Sequence, residues 1–170
     1  MVETLLNKYA INQVGYYVED IEKAALEHAA IFGSGPFLYM DAMPMKATYR
    51  GKEIEYSIKA AYGQLNGLQI ELIQVVDGVD PYAELGQYGF HHFSIWVDDV
   101  NEAREIMAKA GYEPAMHMVS GGGLEVYYFD CRKTWGHYIE THAPVHGMWD
   151  MVKKASVDWD GTNVFRKFGT

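Results

Sequence analysis

The sequence predicts an α+β protein built from two β-α-β-β-β modules, followed by a helical or irregular tail. Three observations predict it. Residues 13–20 (Gln13-Val14-Gly15-Tyr16-Tyr17-Val18-Glu19-Asp20) align without a gap on residues 92–99 (His92-Phe93-Ser94-Ile95-Trp96-Val97-Asp98-Asp99), an offset of 79 (92 − 13). An internal repeat of this kind constrains the architecture more than any local pattern. In each copy an alternating strand ends at an Asp that can open a helix, and a glycine follows at matching distance: Gly33 is 13 after Asp20 and Gly111 is 12 after Asp99. Three further strand-like segments follow the helix in each half.

The elements run as follows. Residues 11–18 alternate, with Gln13, Gly15 and Tyr17 on one face and Val14, Tyr16 and Val18 on the other. Asp20 is a good N-cap for a helix whose stripe is Ile21, Ala24, Ala25, His28 and Phe32, and Gly33 suits its C-terminal end. Strands are expected over about 37–44, 53–63 and 67–76, separated by Pro44, Gly51 and Asn66-Gly67. Residues 77–88 read as a linker. Strand 90–97 leads to Asp99, with Glu102 at capping-box spacing, and the helix 100–110 carries Val100, Ala103, Met107 and Ala110 on one face. Strands near 112–119, 124–130 and 135–142 complete the second half, with Gly121-Gly122-Gly123 as a turn. Residues 145–157 are weakly helical, and Asp158 to Asn163 is a polar turn in an irregular tail. The chain is expected to be one domain over 1–170: module one 10–76, linker 77–88, module two 89–143 and an extension 144–170.

Composition narrows the function classes. Hydrophobic residues make up 49% and charged residues 22%, which is globular rather than disordered. The net charge of −9 argues against nucleic acid and against anionic membrane surfaces, because both need clustered Lys and Arg. The stretch MVETLLNKYA has no basic region followed by an apolar run, so no signal peptide is expected, nor any segment of roughly 18 apolar residues. The single cysteine, Cys131, excludes an intrachain disulfide and fits a reducing compartment. A cytoplasmic location is expected.

Strand periodicity places chemistry on particular faces. Phe93, Ile95 and Val97 form an apolar face, opposite His92, Ser94 and Trp96. In Leu68-Gln69-Ile70-Glu71-Leu72-Ile73, Glu71 sits in the middle of an apolar strand, where a carboxylate is costly to bury unless paired or bound to a metal. Gly136-His137-Tyr138-Ile139-Glu140-Thr141-His142 repeats that feature with Glu140. Gln13 and Glu71 therefore occupy points in the first repeat equivalent to His92 and Glu140 in the second.

With these residues in place, the chain resembles the vicinal oxygen chelate superfamily, which includes glyoxalase I, bleomycin-resistance proteins, extradiol dioxygenases and methylmalonyl-CoA epimerase. The resemblance covers about residues 10–143. It rests on the two modules, the strand openings at Gln13 and His92, the helix end Phe32-Gly33-Ser34-Gly35-Pro36-Phe37, and the endings Ile70-Glu71-Leu72 and Ile139-Glu140. It implies one cupped, glyoxalase-like mixed sheet with a divalent ion inside, ligated by Gln13, Glu71, His92 and Glu140, closest to the glyoxalase-epimerase branch. Such a donor set suits one Zn, Mn, Co, Ni or Mg ion per chain. It further implies an isomerase, epimerase or lyase that moves a proton α to a carbonyl, with Glu140 and Glu71 as catalytic carboxylates. A homodimer is expected on the same grounds. No basic residue follows Gln13 within the strand, so glutathione is not the expected handle. One His among the four positions argues against a ring-cleavage dioxygenase, which needs two on iron.

The substrate is expected to be a bulky, partly apolar or aromatic carbonyl compound. Tyr17, Trp96 and Tyr138 share the faces of the candidate ligands, His142 stands two residues beyond Glu140, and Met40, Met43, Met45, Met116 and Met118 are available to line a pocket. The alternative class is a non-catalytic protein that sequesters such a compound in a cup without metal. His91 is expected to face away from His92 as a structural histidine, and Trp149 and Trp159 to cap the cup or form a dimer contact.

Overall fold

The computed structural model describes residues 4–120 and 122–169; of the expected glycine turn, Gly121 lies outside them, as do Met1–Glu3 of the N-terminal stretch. The first module contains β1 (Ile11–Tyr17), α1 (Ile21–Phe32), β2 (Phe37–Tyr49), β3 (Lys52–Leu65) and β4 (Leu68–Gly78). The second contains β5 (Gly89–Trp96), α2 (Val100–Lys109), β6 (Pro114–Val119), β7 (Glu125–Asp130), a one-turn α3 (Arg132–Trp135) and β8 (Tyr138–His142). Helix α4 (His146–Ser156) and β9 (Phe165–Lys167) follow. The long helix of each module begins as expected: Asp20 accepts from the Lys23 N–H, and Asp99 from those of Asn101 and Glu102. Gly33 ends α1 in the left-handed conformation.

The nine strands found among the described residues belong to one sheet, in the order β3-β4-β1-β5-β8-β7-β6-β2-β9. The two modules meet where β1 pairs antiparallel with β5, and each module has one parallel pair, β1 with β4 and β5 with β8. Strand β2 also pairs with β3 along nearly its full length, so the sheet curves round to meet itself. On its other edge β2 holds β6 at Thr48–Tyr49 and β9 at Phe37–Tyr39, which leaves the stretch 40–47 with a strand on one side only. Eight strands closed in this way leave room for side chains or one small ligand.

Alternation sorts the residues between two surfaces. The outer face of module one packs Val14, Ile70 and Leu72 against Ile21 and Ala25 of α1, and that of module two packs Ile95, Tyr127 and Phe129 against Ala103, Ile106 and Met107 of α2. The inner face gathers Tyr17, Tyr56, Ile58, Ile73, Tyr128 and Tyr138. Helix α4 covers one end of the cup, where Val152 packs on Ala60 and Tyr62. Among the described residues no helix is long and apolar enough to cross a membrane.

Four segments differ from the sequence reading. Strand β2 does not stop at Pro44. The missing N–H falls in the stretch with one free edge, where proline is tolerated. Residues 77–88 do more than connect, because Tyr82 is 1% exposed and fills the inner cluster. Asp80 holds that segment by accepting from the Tyr82 and Ala83 N–H groups and from the Tyr17 hydroxyl. The last strand begins at Tyr138, because α3 and its left-handed Gly136 cap occupy the residues before it. The tail is not wholly irregular: β9 adds to β2, with Phe165 stacked on Tyr39 at 4.4 Å.

A charged cluster ties the base of the cup together. Asp130 accepts from the backbone and side chain of Arg132 and from Arg50, while Glu84 accepts from Arg50, Tyr49 and Tyr138. The Arg132 guanidinium, then Arg50, hold the Asp130 carboxyl well below the usual carboxylate range against the opposing effect of burial. A depressed folded-state value means that Asp130 contributes stability above the unfolded carboxylate range, and that this is lost as pH falls toward the folded value. Asp130→Asn is therefore expected to lower stability at pH 7 and to flatten the loss between about pH 5 and pH 2, read by urea denaturation across pH. An unchanged profile would show that the cluster adds nothing to folding.

Candidate metal centre

The register places the polar residues of the inner face on two neighbouring rungs. One rung runs Tyr62, Glu71, Gly15, His92, Tyr138 across β3, β4, β1, β5 and β8. The other runs Gln64, Gln69, Gln13, Ser94, Glu140, Tyr128 and ends on β7. Between Glu71 and His92 stands a glycine, and between Gln13 and Glu140 a serine. Those small residues let the longer side chains converge. At Gly15 the requirement is strict, because a Cβ there would sit 1.9 Å from Cε1 of His92. The imidazole thus lies across the β1 backbone and reaches toward β4.

Three ligand-capable groups meet as a result. One atom each from Glu71, His92 and Glu140 lies within 4.8 Å of the other two, and all three residues are buried. His92 Nε2 is 3.3 Å from Glu71 Oε2 and 3.8 Å from Glu140 Oε1. Both His92 Nε2 and Glu71 Oε2 lack a protein hydrogen-bond partner. Buried polar atoms are rarely left so. Donors that share one divalent ion at about 2.0–2.2 Å stand roughly 3–4 Å apart, a range that both His92 distances meet. Gln13, 3% exposed, borders the same space, and its amide donates to Gln69 Oε1 at 2.6 Å.

The electrostatics are those of a buried ionic group. Burial opposes the charged form of Glu140, yet His92 and His142 outweigh it and hold the carboxyl below its ordinary value. His142 Nε2 is 3.4 Å from Glu140 Oε1, and its Nδ1 faces the Ala143 carbonyl oxygen at 2.6 Å. Burial would lower the His142 pKa; the Glu140 carboxylate and that carbonyl prevail and raise it. Tyr62 and Tyr128, which sequence reasoning passed over, face Glu71 and Glu140. Burial first, then the carboxylates, push both phenols well above their ordinary value, so they remain neutral donors.

The cluster opens into a cavity of about 630 Å³. Glu71, Glu140, Gln13 and His142 form its polar wall. Apart from Ser120 and Lys46 the rest is apolar or aromatic, including Met40, Met43, Met45, Met118 and Met148, with Tyr62, Tyr82 and Tyr128. The one lysine on its wall, Lys46, is bridged to Glu55 at 2.7 Å. Tyr17, Trp96 and Tyr138 are not part of this wall. Tyr17 donates to Asp80 and Tyr138 to Glu84, whereas Trp96 packs on Trp149 at 4.8 Å beyond His142. Met116 also lies off the cavity, against the Tyr56 hydroxyl. His91 does not face away: a bulge in β5 turns it inward, 2% exposed.

A family model described as the glyoxalase/bleomycin resistance protein/dioxygenase superfamily matches residues 12–128. No curated protein sequence matches. Among solved structures, a hypothetical protein, BH1468, from Bacillus halodurans C-125 is 15% identical with a TM-score of 0.56, over 81% of this chain and 95% of that one. A methylmalonyl-CoA epimerase from Mycobacterium tuberculosis is 16% identical with a TM-score of 0.54, over 81% and 89%. A mutant 4-hydroxymandelate synthase from Streptomyces coelicolor is 12% identical with a TM-score of 0.51, over 79% of this chain and 48% of that one. At these identities the likeness is one of fold.

The contact at Gly15 yields a test. Gly15→Ala is expected to push the His92 ring aside, weaken binding of Co²⁺ or Zn²⁺ at least about tenfold and lower stability by about 1–3 kcal/mol. Metal titration and a thermal melt read the two effects separately. Wild-type affinity in the variant would show that the ring need not lie across β1.

Proposed function

Because the chain belongs to the glyoxalase/bleomycin resistance protein/dioxygenase superfamily, we propose that it is a metal-dependent isomerase, epimerase or lyase that moves a proton next to a carbonyl of a bulky, partly apolar or aromatic compound. The observation that carries the proposal is the buried Glu71–His92–Glu140 cluster at the polar wall of an otherwise apolar cavity. Glu71, His92 and Glu140, with the Gln13 amide oxygen, would hold one divalent ion. That ion would supply a Lewis acid against negative charge developing on the substrate oxygen.

The remaining work falls to the chain's own groups. Glu140, ionised at neutral pH and facing the cavity, accepts the proton from the carbon next to the carbonyl. The C–H electron pair moves toward the carbonyl oxygen as that bond breaks. Delivery of that proton from Glu140 to a different carbon of the enolate isomerises the substrate; protonation of the same carbon on its opposite face by a protonated Glu71 inverts it. The neutral phenols of Tyr62 and Tyr128 hold the two carboxylates in place. The methionine wall excludes water and adapts to an irregular apolar body. Among the described residues Lys46 is the one lysine on the cavity wall, and its pairing with Glu55 favours a compact apolar substrate over a coenzyme A thioester.

Purified wild type is expected to carry about one divalent ion per chain, lost on His92→Ala, by elemental analysis. Phenylacetone in D₂O, followed by proton NMR, is the first probe of α-proton exchange, and Glu140→Gln should slow that exchange by about 10²–10⁴-fold while the protein stays folded. Full exchange in Glu140→Gln would remove that residue from the role. No metal under any loading condition, together with tight binding of aromatic compounds that survives a chelator, would establish the sequestering protein instead, for which the apolar cavity alone suffices.

A further inference from the structure

Strand β5 carries two adjacent histidines into the cup, although a regular strand sends neighbours to opposite faces. The register slips there: Gly15 of β1 faces His92, but Tyr16 faces Phe90, so His91 is the extra residue of a β-bulge. Phe90 and Phe93, on either side of the pair, both lie on the outer face and touch at 4.8 Å. The His91 ring is stacked on Tyr138 at 4.6 Å and 14° and flanked by Tyr82 at 5.0 Å. Its Nδ1 stands 3.0 Å from Nδ1 of His92.

Two imidazole Nδ1 atoms at that distance share one hydrogen, so one ring donates and the other accepts. The far side of His92 decides which. Its Nε2 is aimed at Glu71 and Glu140, and an imidazole binds a metal through a nitrogen that carries no hydrogen, with the other ring N–H held by a partner. Resting on the metal reading above, we propose that His91 is a positioning residue whose Nδ1 accepts the His92 Nδ1 hydrogen and thereby keeps His92 Nε2 bare and aimed across Gly15. The bulge gives the strand its means of bringing that acceptor inward. Most histidine ligands lean on a carboxylate or a backbone carbonyl. A third carboxylate beside Glu71 and Glu140 would add like-charge repulsion; a neutral ring orients His92 without it.

Two variants separate the acceptor from the packing. His91→Phe keeps an aromatic ring against Tyr138 and removes the acceptor. His91→Asn gives up the ring and returns an oxygen near the Nδ1 position. Two-bond ¹H–¹⁵N correlations on the metal-free protein read which Nδ1 carries the hydrogen, and Co²⁺ titration against a competing chelator reads affinity, with a thermal melt confirming that each variant is folded. The expected result is a protonated Nδ1 on His92 and a bare one on His91, a loss of Co²⁺ affinity of about 10–100-fold in His91→Phe, and a value within about threefold of wild type in His91→Asn. A hydrogen on His91 Nδ1 facing a bare His92 Nδ1, wild-type affinity in His91→Phe, or equal losses in both variants would overturn the proposal. Wild type that binds no Co²⁺ at all would instead fail the metal reading, and the ¹H–¹⁵N pattern would still decide the direction of the His91–His92 bond.

Discussion

Two carboxylates and an imidazole share one buried pocket of the sheet, and the architecture around them follows from the cost of that burial. Two unit charges about 4 Å apart at an effective dielectric of about 20 repel by roughly 4 kcal/mol, before any desolvation is counted. Glu71 and Glu140 bring their oxygens within 4.8 Å of each other and of His92, and imidazoles stand between and beside them. His92 lies between the two, and His142 lies on the outer side of Glu140. Even so, His92 Nε2 and Glu71 Oε2 are left without a conventional hydrogen bond. An acceptor and a ring nitrogen that face one another at 3.3 Å with no hydrogen bond between them form an arrangement that a shared cation would satisfy.

The repeat accounts for how the charges come together. Each module contributes its first and last strands to the centre of the sheet, and β1 and β5 meet there antiparallel. Residues at equivalent points of the two modules therefore approach one another across a pseudo-two-fold relation. Departures from symmetry are where the chemistry is set. Gly15 is small where its counterpart Ser94 carries a hydroxyl, so only β1 can be crossed by the His92 ring. Gln13 takes the place that His92 takes in the other module. It turns to a second amide, Gln69, so one centre has an imidazole from one module and an amide from the other.

Much of this was legible in the sequence, and what was missed has physical causes. Gln13, Glu71, His92 and Glu140 could be put on one face because strand alternation and the repeat fix face and level together. Even Tyr62 was within reach: Asn66-Gly67 is a two-residue hairpin turn, which sets Leu65 against Leu68 and hence Tyr62 against Glu71. No such short turn joins β7 to β8, so the partner of Glu140 on Tyr128 was hidden. The inward turn of His91 was hidden too, because a bulge depends on the neighbouring strand and leaves no mark on periodicity. Alternation also sends Tyr17 and Tyr138 inward without saying that Asp80 and Glu84 would take their hydroxyls. A face can be read from one strand; the occupant of a hydrogen bond requires the rest of the fold.

The same distinction explains the division of the cup into a rigid end and an open one. At the base, Tyr82 fills the interior while Arg50, Glu84, Asp130 and Arg132 bind the β2–β3 hairpin to the connection between modules and to β7. Toward the other end, the stretch 40–47 of β2 has one bare edge, and the side chains it gives to the cavity include Met40, Met43 and Met45. Backbone without a partner on one side and side chains with three rotatable bonds make a wall that can yield. The polar cluster stands between the two regions, its side chains on central strands paired along both edges and its cavity facing the adaptable wall. Exact placement of a few charged groups and tolerance toward an apolar body are opposing demands, and the closed sheet meets them by assigning each to different strands.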